Sequence, residues 1–220
     1  MSQTVALNQT KKKSSPVSPN NQKEIYYPTE EPKKMGETDF QHHQIYNLEG
    51  MLRVFFSERK DIYISSDIIF YYEEGNPNKR FAPDLMVCFG LRNEMRCIYK
   101  LWEEKVVPSI IIEIASKETW EKDVTTKRRL YEKLGVQEYY VFDSEYKYLP
   151  QPLFAYRLEF GEIVRQSVSE NRIFSPILGL ELVDNGKQLR LFNPDTKEFL
   201  LTNLELVEEV ARLKEQLKNK

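Results

Sequence analysis

Residues Pro108 to Asp143 read "PSIIIEIASKETWEKDVTTKRRLYEKLGVQEYYVFD". The stretch opens as a buried β-strand, Ile110-Ile111-Ile112, and then places Glu113 before Ile114. A helical pattern follows over "TWEKDVTTKRRLYEKLG", stopped by Gly135, and "VQEYYVFD" returns as a second strand. Strand, helix and strand in this order predict a right-handed crossover between parallel neighbours. The anomaly is the carboxylate among isoleucines. An unpaired buried carboxylate costs several kcal/mol unless it is paired, protonated or bound to a metal. Either Glu113 points to water, or something nearby needs its charge.

Upstream, Thr38 or Asp39 can cap a helix over about 39–58, "DFQHHQIYNLEGMLRVFFSER", with Phe40, Ile45, Leu48, Leu52 and Phe55/Phe56 as its apolar stripe. "DIYISSDIIFYYEEGNPNK" predicts a strand ending in a Gly75-Asn76-Pro77-Asn78 turn, and "RFAPDLMVCFG" a second strand closed by Gly90. "MRCIYKLWEEK" is a partly helical connector. The core order is therefore α, β, β, β, α, β. Its first three strands form a meander, and the whole makes a mixed α/β sheet. Residues 151–200 carry further short strands, an expected antiparallel extension. Residues 201–220 form a helix with Leu206, Val210, Leu213 and Leu217 on one seam.

The division along the chain is a disordered N-terminal tail over 1–36, a domain over 37–200 and a C-terminal amphipathic helix over 201–220. Residues 1–36 are rich in Ser, Pro, Asn, Gln and Lys without apolar periodicity, and hold six Lys and three acids. The whole 220-residue chain has a net charge of −2, against a nucleic-acid coat protein but not against a local basic groove. Cys88 and Cys97 lack CxxC spacing and read as reduced thiols. No apolar run spans a bilayer, and "MSQTVALNQTKKK" lacks a signal-peptide core, so a cytoplasmic location is expected. His42 and His43, the two histidines, point about 100° apart on a helix and make a poor metal pair.

A second awkward carboxylate, Asp84, follows Pro83 and leads into Leu85-Met86-Val87-Cys88-Phe89. Neighbouring strands lie about 4.8 Å apart, so Asp84 and Glu113 can converge. Two like charges that close raise a pKa or demand a cation, and hard divalent ions such as Mg²⁺ prefer oxygen ligands. Two carboxylates and a divalent ion on such a sheet suggest phosphodiester hydrolysis. That chemistry also wants a cationic side chain near the attacking water or the leaving phosphate. Ala115 cannot supply it; Lys127 on the crossover helix can. Asp123, Lys127 and Tyr131 stand at i, i+4 and i+8 and share a helix face.

Taken together, Pro83-Asp84, Glu113-Ile114-Ala115-Ser116, Asp123, Lys127, Tyr131 and "GVQEYYVFD" resemble the PD-(D/E)xK nuclease superfamily, and within it the Uma-type branch of endonucleases. The likeness covers about residues 38–200. It implies a restriction-endonuclease-like αβββαβ core and a Mg²⁺-dependent endonuclease acting on DNA, with Mn²⁺ able to substitute. Asp84 and Glu113 would be catalytic metal ligands, the backbone carbonyl of Ile114 a third, and Lys127 the catalytic cation. The superfamily's lysine usually stands two residues after the second acid, where this chain has Ala115, so the resemblance implies that Lys127 replaces it. Gln44, Glu49 and Asp67 are candidates for the superfamily's first-motif acid position. The alternatives are a catalytically inactive nucleic-acid- or partner-binding module on the same fold, and RNA as substrate. A homodimer is expected from the C-terminal seam.

Overall fold

A capping box starts the first helix. The Thr38 hydroxyl accepts the Gln41 N–H and the Gln41 side chain accepts the Thr38 N–H, opening α1 (Asp39–Phe55). In the computed structural model, which describes residues 25–30 and 38–219, α1 buries Ile45, Leu48, Met51 and Leu52. Phe40 does not join them and is 62% exposed. Helical side chains lean toward the N-terminus, so a first-turn residue projects past the helix's own start.

After α1, the expected single strand divides into β1 (Ile62–Ser65) and β2 (Phe70–Tyr71). Asp67 breaks it by adopting the left-handed region at φ 53°. The next expected strand also divides, into β3 (Arg80–Phe81) and β4 (Leu85–Phe89), with Pro83 in the gap. Then come β5 (Tyr99–Lys100), the single turn α2 (Leu101–Glu104) and β6 (Ile110–Ile114). The crossover comprises α3 (Trp120–Lys122), a π turn over Asp123–Lys127, and α4 (Arg128–Leu134); β7 (Glu138–Phe142) follows. Strands β8 (Leu153–Glu159) and β9 (Glu162–Gln166) complete a six-stranded sheet of order β1-β4-β6-β7-β8-β9.

The β1, β4 and β6 strands pair antiparallel and β6 pairs parallel with β7, so the αβββαβ restriction-endonuclease-like core is present. The short strands β2, β3 and β5 form a small separate sheet. β10 (Arg172–Ser175), β11 (Leu180–Asp184), β12 (Leu189–Asn193) and β13 (Glu198–Phe199) form a third, antiparallel one. The extension expected over 151–200 thus serves two sheets. The C-terminal helix is α5 (Asn203–Lys218).

Two apolar layers cover the central sheet. Ile110, Ile112, Ile114, Tyr140 and Phe142 pack with α1 and with Leu180, Leu182, Leu189 and Leu191 of the third sheet. Ile111, Ala115, Tyr139 and Val141 face the other way, with Tyr131. All five residues of β6 are buried because both faces are covered.

Gln44 stitches α1 to the third sheet: its Nε2 donates to the Leu189 carbonyl at 2.9 Å and its Oε1 accepts the Leu189 N–H at 3.0 Å. Gln44→Ala leaves both buried backbone groups without partners. It is expected to lower unfolding free energy by about 2–4 kcal/mol in urea titrations, leaving any nuclease activity of the surviving folded fraction unchanged.

Of the tail expected to be disordered, only residues 25–30 are among the described residues, and they pack on the small sheet. The Tyr27 ring meets Tyr71 edge-on at 5.1 Å and its hydroxyl accepts the Gly75 N–H at 2.7 Å. Tyr71 in turn donates to the Pro28 carbonyl at 2.6 Å.

Candidate active site

Register carries the two acids together. Leu85 stands opposite Ile112 in the antiparallel β4–β6 pair, which puts Asp84 opposite Glu113 just beyond the ladder's last pair. There Asp84 completes the ladder with its side chain: its Oδ2 accepts the Ile114 N–H at 2.6 Å. Its own N–H lies 3.4 Å from Glu113 Oε2. Glu113 is fully buried, so it does not point to water. Its Oε2 accepts from Lys127 Nζ at 2.8 Å and its Oε1 accepts from the Tyr131 hydroxyl.

The crossover helix brings those donors in. Lys127 Nζ also stands 2.9 Å from Asp123 Oδ1. Two successive four-residue steps on an α-helix drift the side-chain direction by about 80°. The π turn over Asp123–Lys127 advances less per residue and takes back part of that drift, holding Asp123, Lys127 and Tyr131 on one face. Widening the turn frees a carbonyl, and the buried Tyr139 hydroxyl donates to that of Asp123 at 2.9 Å. A π turn is not legible from apolar periodicity. Ser116 opens the crossover, its hydroxyl 2.9 Å from Thr119 Oγ1 and its carbonyl accepting the Trp120 N–H at 3.0 Å.

The electrostatics are unbalanced. The Lys127 ammonium pairs with Glu113 and Asp123, and Asp84 feels the same charge without a direct ion pair. Neither Asp123 oxygen receives an aligned hydrogen bond, although the residue is fully buried. Burial and then the Glu113 charge push Asp84 well above the usual carboxylate range, and the same two causes push Asp123 up to about 6. The three carboxylates together raise Lys127 against the opposing effect of burial, keeping it charged. Burial, reinforced by Glu113, raises Tyr131 and keeps it a donor.

Raised carboxyl pKa values mean the folded chain binds more protons than the unfolded chain between about pH 4 and 6. These acids therefore make the metal-free protein less stable as pH rises through that window. A cation must displace those protons. Added Mn²⁺ is thus expected to raise the melting temperature more at pH 7.5 than at pH 5, as read by differential scanning fluorimetry.

The donors around the two strand acids suit a hard divalent ion. Asp84 and Glu113 offer carboxylates in a cluster with surplus negative charge, and the Ile114 carbonyl follows Glu113 on the same strand, whose Ile114 N–H Asp84 accepts. That carbonyl accepts one hydrogen bond, from Gln41 Nε2 at 3.1 Å, leaving a second lone pair. The three acids do not make a three-carboxylate metal site: among the described residues no three His, Cys, Asp or Glu side chains could hold one metal ion together. A two-carboxylate, one-carbonyl set accords with the way Mg²⁺ is usually held, by few protein oxygens with waters and phosphate completing the shell.

The sequence profile of Uma2, described as putative restriction endonuclease, matches residues 15–185, well over half of the chain. The chain belongs to the Uma2 family. Among solved structures, a putative nuclease belonging to DUF820 from Anabaena variabilis ATCC 29413 superposes with a TM-score of 0.49 and 18% identity, covering 66% of this chain and 76% of that one. No curated protein matches.

In this Uma2 chain the position two after the second acid, Ala115, is fully buried in the layer beneath the crossover helix. Lys127 occupies the space beside Glu113 instead. Of the three first-motif candidates, Gln44 is engaged by the Leu189 backbone, and Glu49 accepts from Arg53 at 2.8 Å and from Ser66 at 2.6 Å. Asp67 lies nearer, its N–H on the Pro83 carbonyl at 3.0 Å. The α1 side chain that reaches the cluster is Gln41, through the Ile114 carbonyl. The capping-box spacing Thr38-x-x-Gln41 was the available signal, and it pointed to helix geometry rather than to the site. No described helix is long and apolar enough to cross a membrane.

Proposed function

We propose that this Uma2-family chain is a divalent-metal-dependent endonuclease hydrolysing phosphodiester bonds in DNA. The observation that carries the reading is the meeting of three acids, Asp84 and Glu113 at the end of two adjoining strands and Asp123 on the crossover helix, around Lys127, whose ammonium pairs with Glu113 and Asp123. Such a cluster is costly in an apolar layer unless a cation joins it. The Asp84 and Glu113 carboxylates and the Ile114 carbonyl would hold Mg²⁺, with Mn²⁺ able to replace it. A bound ion of this kind supplies Lewis-acid stabilisation of phosphate charge and makes a water more acidic.

The chain's own residues do the remainder. Tyr131 fixes one Glu113 oxygen, and the Asp84 N–H and Lys127 approach the other. Lys127, held charged between Glu113 and Asp123, faces the transition state as a fixed positive charge on the phosphoryl oxygens or the attacking water. Buried Ala115 and Tyr139 close the floor of the cluster against bulk water. The partners implied are a nucleic acid, DNA first, and a second copy of the chain.

The test is cleavage of labelled duplex DNA, single-stranded DNA and RNA with Mg²⁺, Mn²⁺ or EDTA. Metal-dependent scission of DNA is the expected result. Metal-dependent scission of RNA alone would move the substrate. Nucleic-acid binding without turnover under any metal would favour a binding module on the nuclease fold.

A further inference from the structure

The C-terminal helix is long, well capped and almost unattached. The Thr202 hydroxyl accepts the Glu205 N–H, and the Glu205 side chain accepts the Thr202 N–H, so α5 begins with a full capping box. Glu205 also pairs bidentately with Arg190, at 2.8 and 3.0 Å. The Asn203 side chain packs against Gly50 of α1, where an added Cβ would stand 2.6 Å from its amide. Beyond this first turn the helix leaves the domain. None of its sixteen residues is buried, and Val207, Val210, Leu213 and Leu217 are all exposed, Leu217 at 72%. A helix of this length with a bare apolar face is marginal alone in water.

The sequence of that face says what covers it. Leu206, Val210, Leu213 and Leu217 fall on alternating d and a positions of a heptad. A β-branched residue at a with Leu at d favours two parallel strands, and Val210 between Leu206 and Leu213 is that arrangement. Glu209 then occupies g and Lys214 the following e, the positions that pair across a parallel two-stranded seam. Leu206 and Val210 of this seam also border a shallow depression with Val207, Ala211 and Lys214. A facing copy would lay its own seam along Leu206, Val210, Leu213 and Leu217 and bring its Glu209, which also holds Arg212 of its own helix at 2.8 Å, to Lys214. Exposed Tyr46 and Val54 flank Gly50 one turn away on either side, and extend the apolar surface from the helix onto the domain.

We propose that α5 is a dimerisation element, through which two copies of this chain pair in parallel. Parallel pairing places both domains at the N-terminal end of the helix pair, side by side. The inference is independent of the chemistry at the carboxylate cluster.

Sedimentation equilibrium on the full chain tests it, with circular dichroism and thermal unfolding as checks that each variant is folded. The wild type is expected to form a concentration-dependent dimer, and Leu213→Asp, at an exposed position, to be a folded monomer. Glu209→Lys or Lys214→Glu alone should weaken the dimer roughly five-fold, since each disrupts two symmetric pairs of modest strength. The double variant, Glu209→Lys with Lys214→Glu, should recover part of that loss, the remainder reflecting the broken pair of Glu209 with Arg212 in its own helix. A wild type that is monomeric at every concentration overturns the proposal, as does a dimer untouched by Leu213→Asp. Dissociation by Leu213→Asp without recovery in the charge-reversed double variant overturns the parallel arrangement.

Discussion

Asp84→Asn and Glu113→Gln are each expected to reduce metal-dependent DNA cleavage by roughly 10³-fold or more, and to remove the thermal stabilisation that Mn²⁺ confers. The two changes act on one site from two strands. Each keeps the shape of the side chain and one acceptor oxygen, so the fold should survive, although Glu113→Gln gives up the acceptor that Lys127 and the Asp84 N–H approach. Asp84→Asn keeps an oxygen for the Ile114 N–H, and Glu113→Gln keeps one for Tyr131. What Asp84→Asn removes is a charge that burial already disfavours.

In the wild type, a metal at about 100 times its dissociation constant should raise the melting temperature by roughly 5–10 °C. In either variant the increment should vanish. Without metal, Asp84→Asn should be no less stable than wild type at pH 7, since it removes one member of a repelling group whose ionisation is disfavoured by burial and by Glu113. Full metal stabilisation in both variants, measured by scanning fluorimetry with Mn²⁺, would falsify the assignment of these acids as ligands.

Much of this architecture was legible because it rests on periodicity and on punctuation. The isoleucine run, the Gly135 stop and the "EYYVF" run define a crossover whatever surrounds them, and the parallel β6–β7 pair follows. The misfit of Asp84 and Glu113 in apolar strands was legible for the same reason: a charge in a two-sided strand has no ordinary excuse. Local breaks were harder. Asp67 entering the left-handed region cuts one apparent strand into β1 and β2; the polar run Ser65-Ser66-Asp67 marks the bend, and a reading that follows only the apolar residues on either side passes over it. Long-range stitching was harder still. Gln44 reaches the Leu189 backbone across 145 positions, and Gln41 reaches Ile114 across 73. Each is a polar residue on an amphipathic helix, and its partner is a backbone group, which has no sequence signature. The environment of Asp123 was hidden too. A first-turn acid is ordinarily a dipole partner at the surface, yet this one is fully buried, four residues before the lysine it faces.

Lys127→Ala is expected to lower single-turnover DNA cleavage by roughly 10²-fold or more while leaving DNA affinity nearly intact, the usual scale for losing one group that stabilises the transition state. The geometry adds a sign that a ligand or packing role would not give. Lys127 Nζ sits on Glu113 Oε2 at 2.8 Å and beside Asp123 Oδ1 at 2.9 Å, so it competes with any other cation for the same negative charge. Removing it leaves three carboxylates with no partner cation, and Mn²⁺ should bind as tightly as in wild type or more tightly. Slower chemistry with undiminished metal binding is therefore the expected pair of results. Lys127→Arg should restore little, because a planar guanidinium cannot occupy the point between two carboxylates that a compact ammonium fills. Lys122→Ala is the control: Lys122 is exposed and precedes the π turn. Loss of metal binding in Lys127→Ala, seen by calorimetric titration with Mn²⁺, would make the lysine a structural support of the site. A dead Lys122→Ala beside an active Lys127→Ala would overturn the assignment of Lys127 and move the catalytic cation to Lys122, about one turn earlier on the crossover helix.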